Sequence, residues 1–310
     1  MRIGILGVSG FIGGHLANYF LGSGHSVIGF SRTLKSFNHA SYQAIQYNSL
    51  LESSGLNRLT ELSCDVLIDC ADPAQIDAAF DINQHVTIKT DILKMAYNAG
   101  VKRYIYISSV KALTESSNYP LCEDMQPRPT SQYGLMKIKI EDALVSMSHR
   151  LSLDLVIVRP PLIYGEGGGA SIGKLSGLIK LNIPLPFKNL NNRRSVISIT
   201  NFKNFIALLL THERATQKRW LVADRESLTI EQMVMQIAGC LGKRIYLFWI
   251  PATLLKIFLY FVGQKASTTS LFESLLVNDI AARSDLNWIP AEFCENDFCH
   301  SLNDNNDKIL

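Results

Sequence analysis

The first half of the chain alternates short, mostly apolar runs with longer segments of helical spacing. Residues 2–6, 26–30, 64–70, 103–107 and 153–158 are runs of four to eight with few polar interruptions, as expected of strands covered on both faces. Between them, 11–21, 86–99 and 132–147 carry apolar residues at a helical period, and Gly100 stands where a helix would end. One more strand is expected at 219–223. This βαβα order predicts an α/β fold, a Rossmann-like doubly wound parallel sheet with a smaller mixed C-terminal substrate lobe. Gly-, Pro- and Asn-rich stretches at 165–169 and 184–192 suggest the boundaries. We expect a dinucleotide-binding domain over 1–164 with 195–223 returning to it, a substrate lobe built from 165–194 and 224–302, and a frayed polar tail at 303–310.

Composition narrows the class. With 310 residues, 47% hydrophobic and 18% charged, burial can outweigh chain entropy. The formal net charge of +3 is too weak for a nucleic-acid footprint. Six cysteines (Cys64, Cys70, Cys122, Cys240, Cys294, Cys299) form no CxxC pair, so most are expected as buried thiols in a reducing, cytoplasmic setting. The seven histidines form no HxH or HxxxH pair, and no metal site is expected. Trp220, Trp249 and Trp288 are expected to pack in cores. The N-terminal apolar run is broken by glycines and lacks a small-residue cleavage site, so an export signal is not expected. A second apolar stretch, 245–263, is interrupted by Pro251 and Lys256. It reads as a short helix starting at Pro251, with peripheral membrane contact as an alternative to burial and no transmembrane span.

Three features carry chemistry. Gly7, Gly10 and Gly13 are spaced GxxGxxG directly after a strand and before a helix. There glycines permit a tight turn and close approach of a pyrophosphate to the helix N-terminus. Past the second strand come Ser31 and Arg32, and no acidic residue precedes Glu52. An acid there would hold the 2′-hydroxyl of NAD, whereas an arginine meets a 2′-phosphate. NADP(H) is therefore the expected cofactor, with NAD possible and a solvated Arg32 as the plain alternative. Finally, Tyr133 and Lys137 stand four apart at the start of a helical segment, on one face. An ammonium beside a phenol favours the phenolate and makes a usable proton donor and acceptor for a carbonyl/alcohol pair. Ser108 and Ser109 end the strand RYIYI, 24 residues before the tyrosine for Ser109, where a hydroxyl can meet a substrate oxygen.

GVSGFIG, YISSVKALTE, the YGLMK helix, RPPLIYGEG, NRRSVISITNF and LNWIP resemble, in order, the extended short-chain dehydrogenase/reductases. This is the NAD(P)-dependent nucleotide-sugar epimerase, dehydratase and reductase family, and the similarity covers roughly 1–290. ISSVK, RPPLIYG, IPLPF and NRRS are more narrowly similar to UDP-glucose 4-epimerase-like enzymes and to 4-ketoreductases that make UDP-N-acetylquinovosamine-type sugars. The resemblance implies that Tyr133 is the acid/base at the sugar C4 oxygen, that Lys137 holds the nicotinamide ribose and tunes Tyr133, and that Ser109 is their hydroxyl partner. It implies cofactor contacts from Gly7, Gly10, Phe11, Ile12, Gly13, Ser31, Arg32, Ala71, Lys137 and Pro160. Arg194 matches a diphosphate-binding arginine, with Arg193 and Arg283 as weaker candidates, and Pro186 lies in the 183–187 loop that would pack on uracil. Ser109 and Tyr133 would touch the sugar.

The chain also departs from the family pattern. It has Asp69-Cys70-Ala71-Asp72 where HLAA is common, His85 near a usual asparagine, and Asn201 where an aspartate is common. The expected activity is NADPH-dependent reduction of the 4-keto group of a UDP-6-deoxyhexose, with Tyr133 as general acid. The alternatives are a UDP-hexose 4-epimerase with retained NAD and, behind it, a non-catalytic NADP(H)-sensing protein. The resemblance further implies a homodimer paired through the helices at 86–99 and 132–147.

Overall fold

The computed structural model describes residues 1–47, 64–73, 76–77, 79–168, 170–251, 253–255, 271–292 and 295–302. Seven parallel strands form the main sheet: β1 (Arg2–Leu6), β2 (Ser26–Ser31), β3 (Tyr42–Gln46), β4 (Val66–Asp69), β5 (Arg103–Ile107), β6 (Asp154–Arg159) and β9 (Lys218–Leu221). Their order is β3-β2-β1-β4-β5-β6-β9, so the winding reverses between β1 and β4. In such sheets the crevice at the strand C-termini beside that reversal is the ligand site.

Strand pleat distributes side chains to two cores. Ile105 and Ile107 of β5 join Ile3 and Ile5 on one face, covered by α1 (Phe11–Gly22) and α5 (Ile199–Leu209). Tyr104 and Tyr106 point the other way, into the core under α2 (Ile82–Asn98) and α3 (Gln132–Leu151). Each fully buried large apolar side chain of this kind contributes about 1.5–3 kcal/mol. A second, mixed sheet is formed by β7 (Leu162–Tyr164), β8 (Arg193–Ser198) and β10 (Ser227–Thr229), with β8 parallel to β7 and antiparallel to β10. Around it, α4 (Ala170–Lys180) and α6 (Ile230–Cys240) enclose a third core that includes Val196, Leu228 and Phe298. The short helix α8 (Glu295–His300) packs on α6 and completes this lobe, whereas α7 (Ile280–Leu286) returns to the main sheet and buries Ala282 and Leu286 in the first core.

The strands and helices expected in the main sheet are present, with shifted ends. α2 begins a turn before residue 86, because the Asp81 carboxylate accepts a hydrogen bond from the Gln84 backbone N–H at 3.0 Å and caps it. β3 had no clear sequence signal, since in YQAIQ only Ile45 is buried at this sheet edge.

Two expectations are corrected. Cys240 and Cys299 are not thiols but a disulfide that ties α6 to α8, their Cα atoms 5.1 Å apart across 59 residues of sequence. Such a pairing of distant positions leaves no local spacing to read. Cys64, Cys70 and Cys122 are free thiols. Burial pushes Cys64 up to about 11. Cys294 lies outside the described residues. Trp220 and Trp288 are buried, but Trp249 is 60% exposed. Its segment runs beside 185–188 through backbone hydrogen bonds from Leu185 N to Tyr246 O and from Phe248 N to Leu185 O, which leaves Tyr246 and Trp249 outward. A helical turn does start after Pro251, whose carbonyl accepts from Leu254 and Leu255 N–H. The remainder of 245–263, and the tail at 303–310, lie outside the described residues. Among the described residues no helix is long and apolar enough to cross a membrane.

Candidate active site

The glycine turn is built around a left-handed residue. Gly7 has φ +81°, and its N–H and that of Val8 both donate to Phe30 O, at 2.8 and 3.2 Å. A Cβ on Gly13 would stand 2.3 Å from Gly7 O, so the first turn of α1 can approach the loop only because that side chain is absent. Gly10, the N-cap of α1, places no side chain over the helix end. Its first N–H groups therefore meet the adjoining cavity of about 550 Å³. Gly7, Gly10, Ser31, Arg32, Ala71 and Asp72 line this cavity. Uncapped donors, a close backbone approach and a basic side chain at the far end fit a dinucleotide.

The other expected cofactor residues stand behind this lining. Phe11 and Ile12 pack against the first core. Phe11 also meets Gly168, where a Cβ would fall 2.1 Å from its ring, and the His15 ring nitrogen lies 2.6 Å from Glu166 O. The loop after β7 is thereby seated on α1. Pro160 is buried, and its carbonyl accepts from Val110 N–H at 3.0 Å.

The candidate reacting groups come from the end of β5 and from α3. Ser109 follows β5 and caps the short turn 110–112. α3 packs directly on that turn, since a Cβ on Gly134 would lie 2.3 Å from Lys111 O. The α3 N-terminus is pinned further by Glu115, which accepts from Thr130 N–H and Oγ1 at 2.7 and 2.6 Å and from the Ser131 hydroxyl. This scaffold presents Tyr133 half-buried, with Lys137 Nζ 5.7 Å and Lys111 Nζ 5.9 Å from its ring centroid. Ser108 is distinguished from Ser109 by its partner. Its hydroxyl donates to buried Glu141 at 2.5 Å, and Glu141 also receives Arg159 Nη2 at 2.6 Å and Arg219 Nε at 3.0 Å.

Lys137 donates to Ile107 O at 2.8 Å and to Asp72 Oδ2 at 2.7 Å. Burial opposes its charge, but Asp72 and Tyr133 outweigh that and hold the ammonium above the ordinary lysine range. Asp72 is the hub of a larger cluster. Its Oδ1 lies 2.8 Å from His85 Nε2 and 2.9 Å from Lys89 Nζ, and its Oδ2 also accepts from Tyr106 OH at 2.6 Å. Lys89 donates to both oxygens of Asp69 at 2.8 Å, and Tyr104 OH donates to Asp69 Oδ2 at 2.7 Å. Burial pushes the Asp72 carboxyl up, but Lys137, Lys89 and the His85 hydrogen bond bring it well below the usual carboxylate range. The departures marked in the sequence at Asp69, Asp72 and His85 are thus one bonded group. Lys89 was missed, and its signal is slight: it follows His85 at i+4 on the face of α2 that is buried.

On the second lobe, Arg194 Nη1 donates to Glu273 O at 3.0 Å, beside a cavity of about 660 Å³ that Ser116, Asn192 and Glu273 help line. Arg193 is turned the other way, onto Ser227 Oγ and O at 3.0 and 3.1 Å. Burial, then the Arg194 charge, lower the Lys111 ammonium. Lys111 is a second site residue that the sequence reading passed over. Leu185 and Phe187 enter the third core, leaving half-buried Pro186 between them. Arg283 is engaged by Asp279 at 2.8 Å on α7, and among the described residues no hydrogen bond or ion pair joins it to Tyr133 or Arg194.

A model of the NAD dependent epimerase/dehydratase family matches residues 3–223. A UDP-glucose 4-epimerase of Vibrio cholerae is 31% identical over 211 residues, 67% of this chain and 64% of that protein. An Escherichia coli O157:H7 N-acetyl-alpha-D-glucosaminyl-diphospho-ditrans,octacis-undecaprenol 4-epimerase is 25% identical over 56% of the chain and 52% of its own length. The chain thus spans between half and two thirds of these relatives. Among solved structures, the fold matches a Thermus thermophilus UDP-glucose 4-epimerase in complex with NAD, with TM-score 0.78, 17% identity and full coverage of both chains. It also matches a Bacillus cereus UDP-glucuronic acid 4-epimerase in complex with UDP-glucuronic acid and NAD, with TM-score 0.79, 16% identity and 97% and 98% coverage.

Proposed function

The chain belongs to the NAD dependent epimerase/dehydratase family, and from that premise we propose that it inverts the C4 configuration of a UDP-hexose. The carrying observation is the seat of Tyr133. It stands on the α3 turn packed against the Ser109 loop, with Lys137 and Lys111 5.7 and 5.9 Å from its ring centroid and Lys137 paired to Asp72, which lines the dinucleotide-type cavity. The Vibrio cholerae relative supports the epimerase over the 4-ketoreductase as first reading.

A nicotinamide dinucleotide held by the Gly7–Gly13 turn and Arg32 would supply a reversible hydride acceptor for C4. This chain's residues do the remainder. Ser109 donates a hydrogen bond to the C4 oxygen, and Tyr133 takes the 4-hydroxyl proton and later gives it back. Lys137 stays an ammonium beside them. Arg194 meets the diphosphate with its bidentate fork, and Pro186 packs on the uracil. Rotation of the 4-keto sugar between the two transfers inverts the centre, with no net redox change.

A second reading keeps a specific observation behind it. Ser31, Arg32 and the lack of an acid after β2 favour a 2′-phosphate, and with it NADPH-dependent reduction of a UDP-4-keto-6-deoxyhexose. Denaturing the freshly purified protein and identifying the released nucleotide separates the two. About one NAD per chain, with interconversion of UDP-glucose and UDP-galactose, carries the epimerase. An empty protein that binds NADPH over NADH, with the preference lost in Arg32→Ala, carries the reductase.

A further inference from the structure

Resting on the reading of Tyr133 and Lys137 as the C4 acid/base pair, we propose that Asp72 is a positioning residue: its carboxylate fixes the Lys137 ammonium between Ile107 and Tyr133. Asp69 and Lys89 act behind it as its support.

Lys89 has a counter-ion of its own, because Asp69 takes it through both oxygens at 2.8 Å. Asp69 is also satisfied by Tyr104 OH and by Ala71 N–H at 3.0 Å. Asp72 is therefore not needed to neutralise Lys89. For Lys137, by contrast, Asp72 is the one carboxylate in an ion pair with it among the described residues. Glu141, one turn further along α3, is occupied by Ser108, Arg159 and Arg219.

An ammonium has three N–H donors. Two of these are committed, to Asp72 Oδ2 and Ile107 O. The third is left for an acceptor arriving beside Tyr133, whose ring centroid is 5.7 Å away. Asp72 cannot swing to another partner, since His85 holds one oxygen and Tyr106 the other. Its side chain is 6% exposed, so water offers little substitute. Lys137 is 3% exposed and would be left charged in an apolar wall if Asp72 were removed. Neighbouring Cys70 supplies no negative charge, because burial pushes its thiol far up.

The test compares Asp72→Asn, Asp72→Glu and the wild type, each labelled with ¹³C-lysine and with the Lys137 signal assigned through Lys137→Met. We expect the Lys137 protonation midpoint to lie above the ordinary lysine value in the wild type. In Asp72→Asn it should fall by about 2 pH units or more, and Asp72→Glu should restore it in part. In the same proteins kcat for UDP-hexose should fall at least about tenfold in Asp72→Asn, with KM within about twofold and the pH profile displaced. A Lys137 midpoint that stays high in Asp72→Asn overturns the proposal, and so does wild-type kcat with an undisplaced profile. If Asp72→Asn does not fold, Asp72→Ser, which leaves room for water, gives the same comparison. The resonance measurement needs no sugar, so a protein that epimerises nothing fails the functional reading yet still answers this one.

Discussion

Ser108 and Glu141 are joined from Oγ to Oε1 at 2.5 Å, deep between β5, α3, β6 and β9. The hydroxyl of Ser108 is thus spent on structure, while that of its neighbour Ser109 accepts only the Lys111 N–H at 3.2 Å among the described contacts. Ser109→Ala should lower kcat by about 10²-fold at a stability cost of no more than about 1 kcal/mol, that of its cap on the turn 110–112. Ser108→Ala should do the reverse, costing about 1–3 kcal/mol of stability through the lost hydrogen bond to a buried carboxylate whose Oε1 then keeps only Arg159 Nε, with kcat/KM nearly kept. Steady-state kinetics beside thermal unfolding of the two variants checks the division, and a larger kcat loss in Ser108→Ala would contradict it.

Two glycines of α1 should respond oppositely to the same methyl group. At Gly13 a Cβ meets backbone, 2.3 Å from Gly7 O, so Gly13→Ala should weaken dinucleotide binding at least about tenfold and destabilise by about 1–3 kcal/mol. At Gly22 nothing lies within 4 Å, and Gly22→Ala should leave binding alone and stabilise by about 0.5–1 kcal/mol. Titration with NADH, read by its fluorescence, and thermal unfolding give both answers.

Asn201 is an amide for a reason that the structure makes visible. Its Nδ2 donates to Asp224 Oδ1 at 2.7 Å and to Ala291 O at 3.2 Å, and its Oδ1 accepts from Ala291 N–H at 2.9 Å. Burial raises the Asp224 carboxyl above its ordinary value, against the lowering effect of its hydrogen bonds from Asn201, Tyr164 and Ser198. A carboxyl raised on folding contributes stability in acid that is lost as pH rises through the folded value. Asn201→Asp places a second carboxyl against the first and enlarges this dependence. It should cost about 2–3 kcal/mol at neutral pH, and the gap to the wild type should narrow on acidification as the pair shares a proton. Urea unfolding at about pH 5 and about pH 8 measures the narrowing.

The Cys240–Cys299 disulfide closes a loop of 59 residues that includes the stretch outside the described region. On the chain-entropy account its removal costs about 4 kcal/mol. Cys299→Ser, or reductant added to the wild type, should lower the melting temperature of the second lobe while the nucleotide site still binds NADH. Equal melting with and without reductant would show the pair to be unlinked in solution.

How much was legible follows from the range of each interaction. The glycine turn, the Tyr133–Lys137 spacing and the serine pair are local, spanning seven residues or fewer each. They marked a glycine turn at a helix N-terminus and a set of candidate reacting groups without coordinates. The resemblance pointed to Ser109 over Ser108, but what holds the Ser108 hydroxyl was not legible, because it is Glu141, 33 residues away. Arg193 and Arg194 are adjacent in sequence and both basic, but β8 sends one to Ser227 and the other to the Glu273 carbonyl. At β3 the apolar pattern was too thin to read, and at Trp249 composition misled, because a strand-like pairing with 185–188 decides which side faces out.

The sequence by itself determined the periodicities of the sheet and its helices, the glycine turn at a helix start, and the four-residue spacing that puts Tyr133 and Lys137 on one helix face. Each of these follows from backbone sterics and from residues within one or two turns of one another. Only the tertiary structure decided that Asp69, Asp72, His85 and Lys89 form one cluster beneath Lys137. Taken one at a time along the chain they are two acids, a histidine and a lysine that would ordinarily remain in water. Folding brings Asp72 within 2.7 Å of a lysine 65 residues away, in a wall that excludes water, and there a charge can persist only beside its partner.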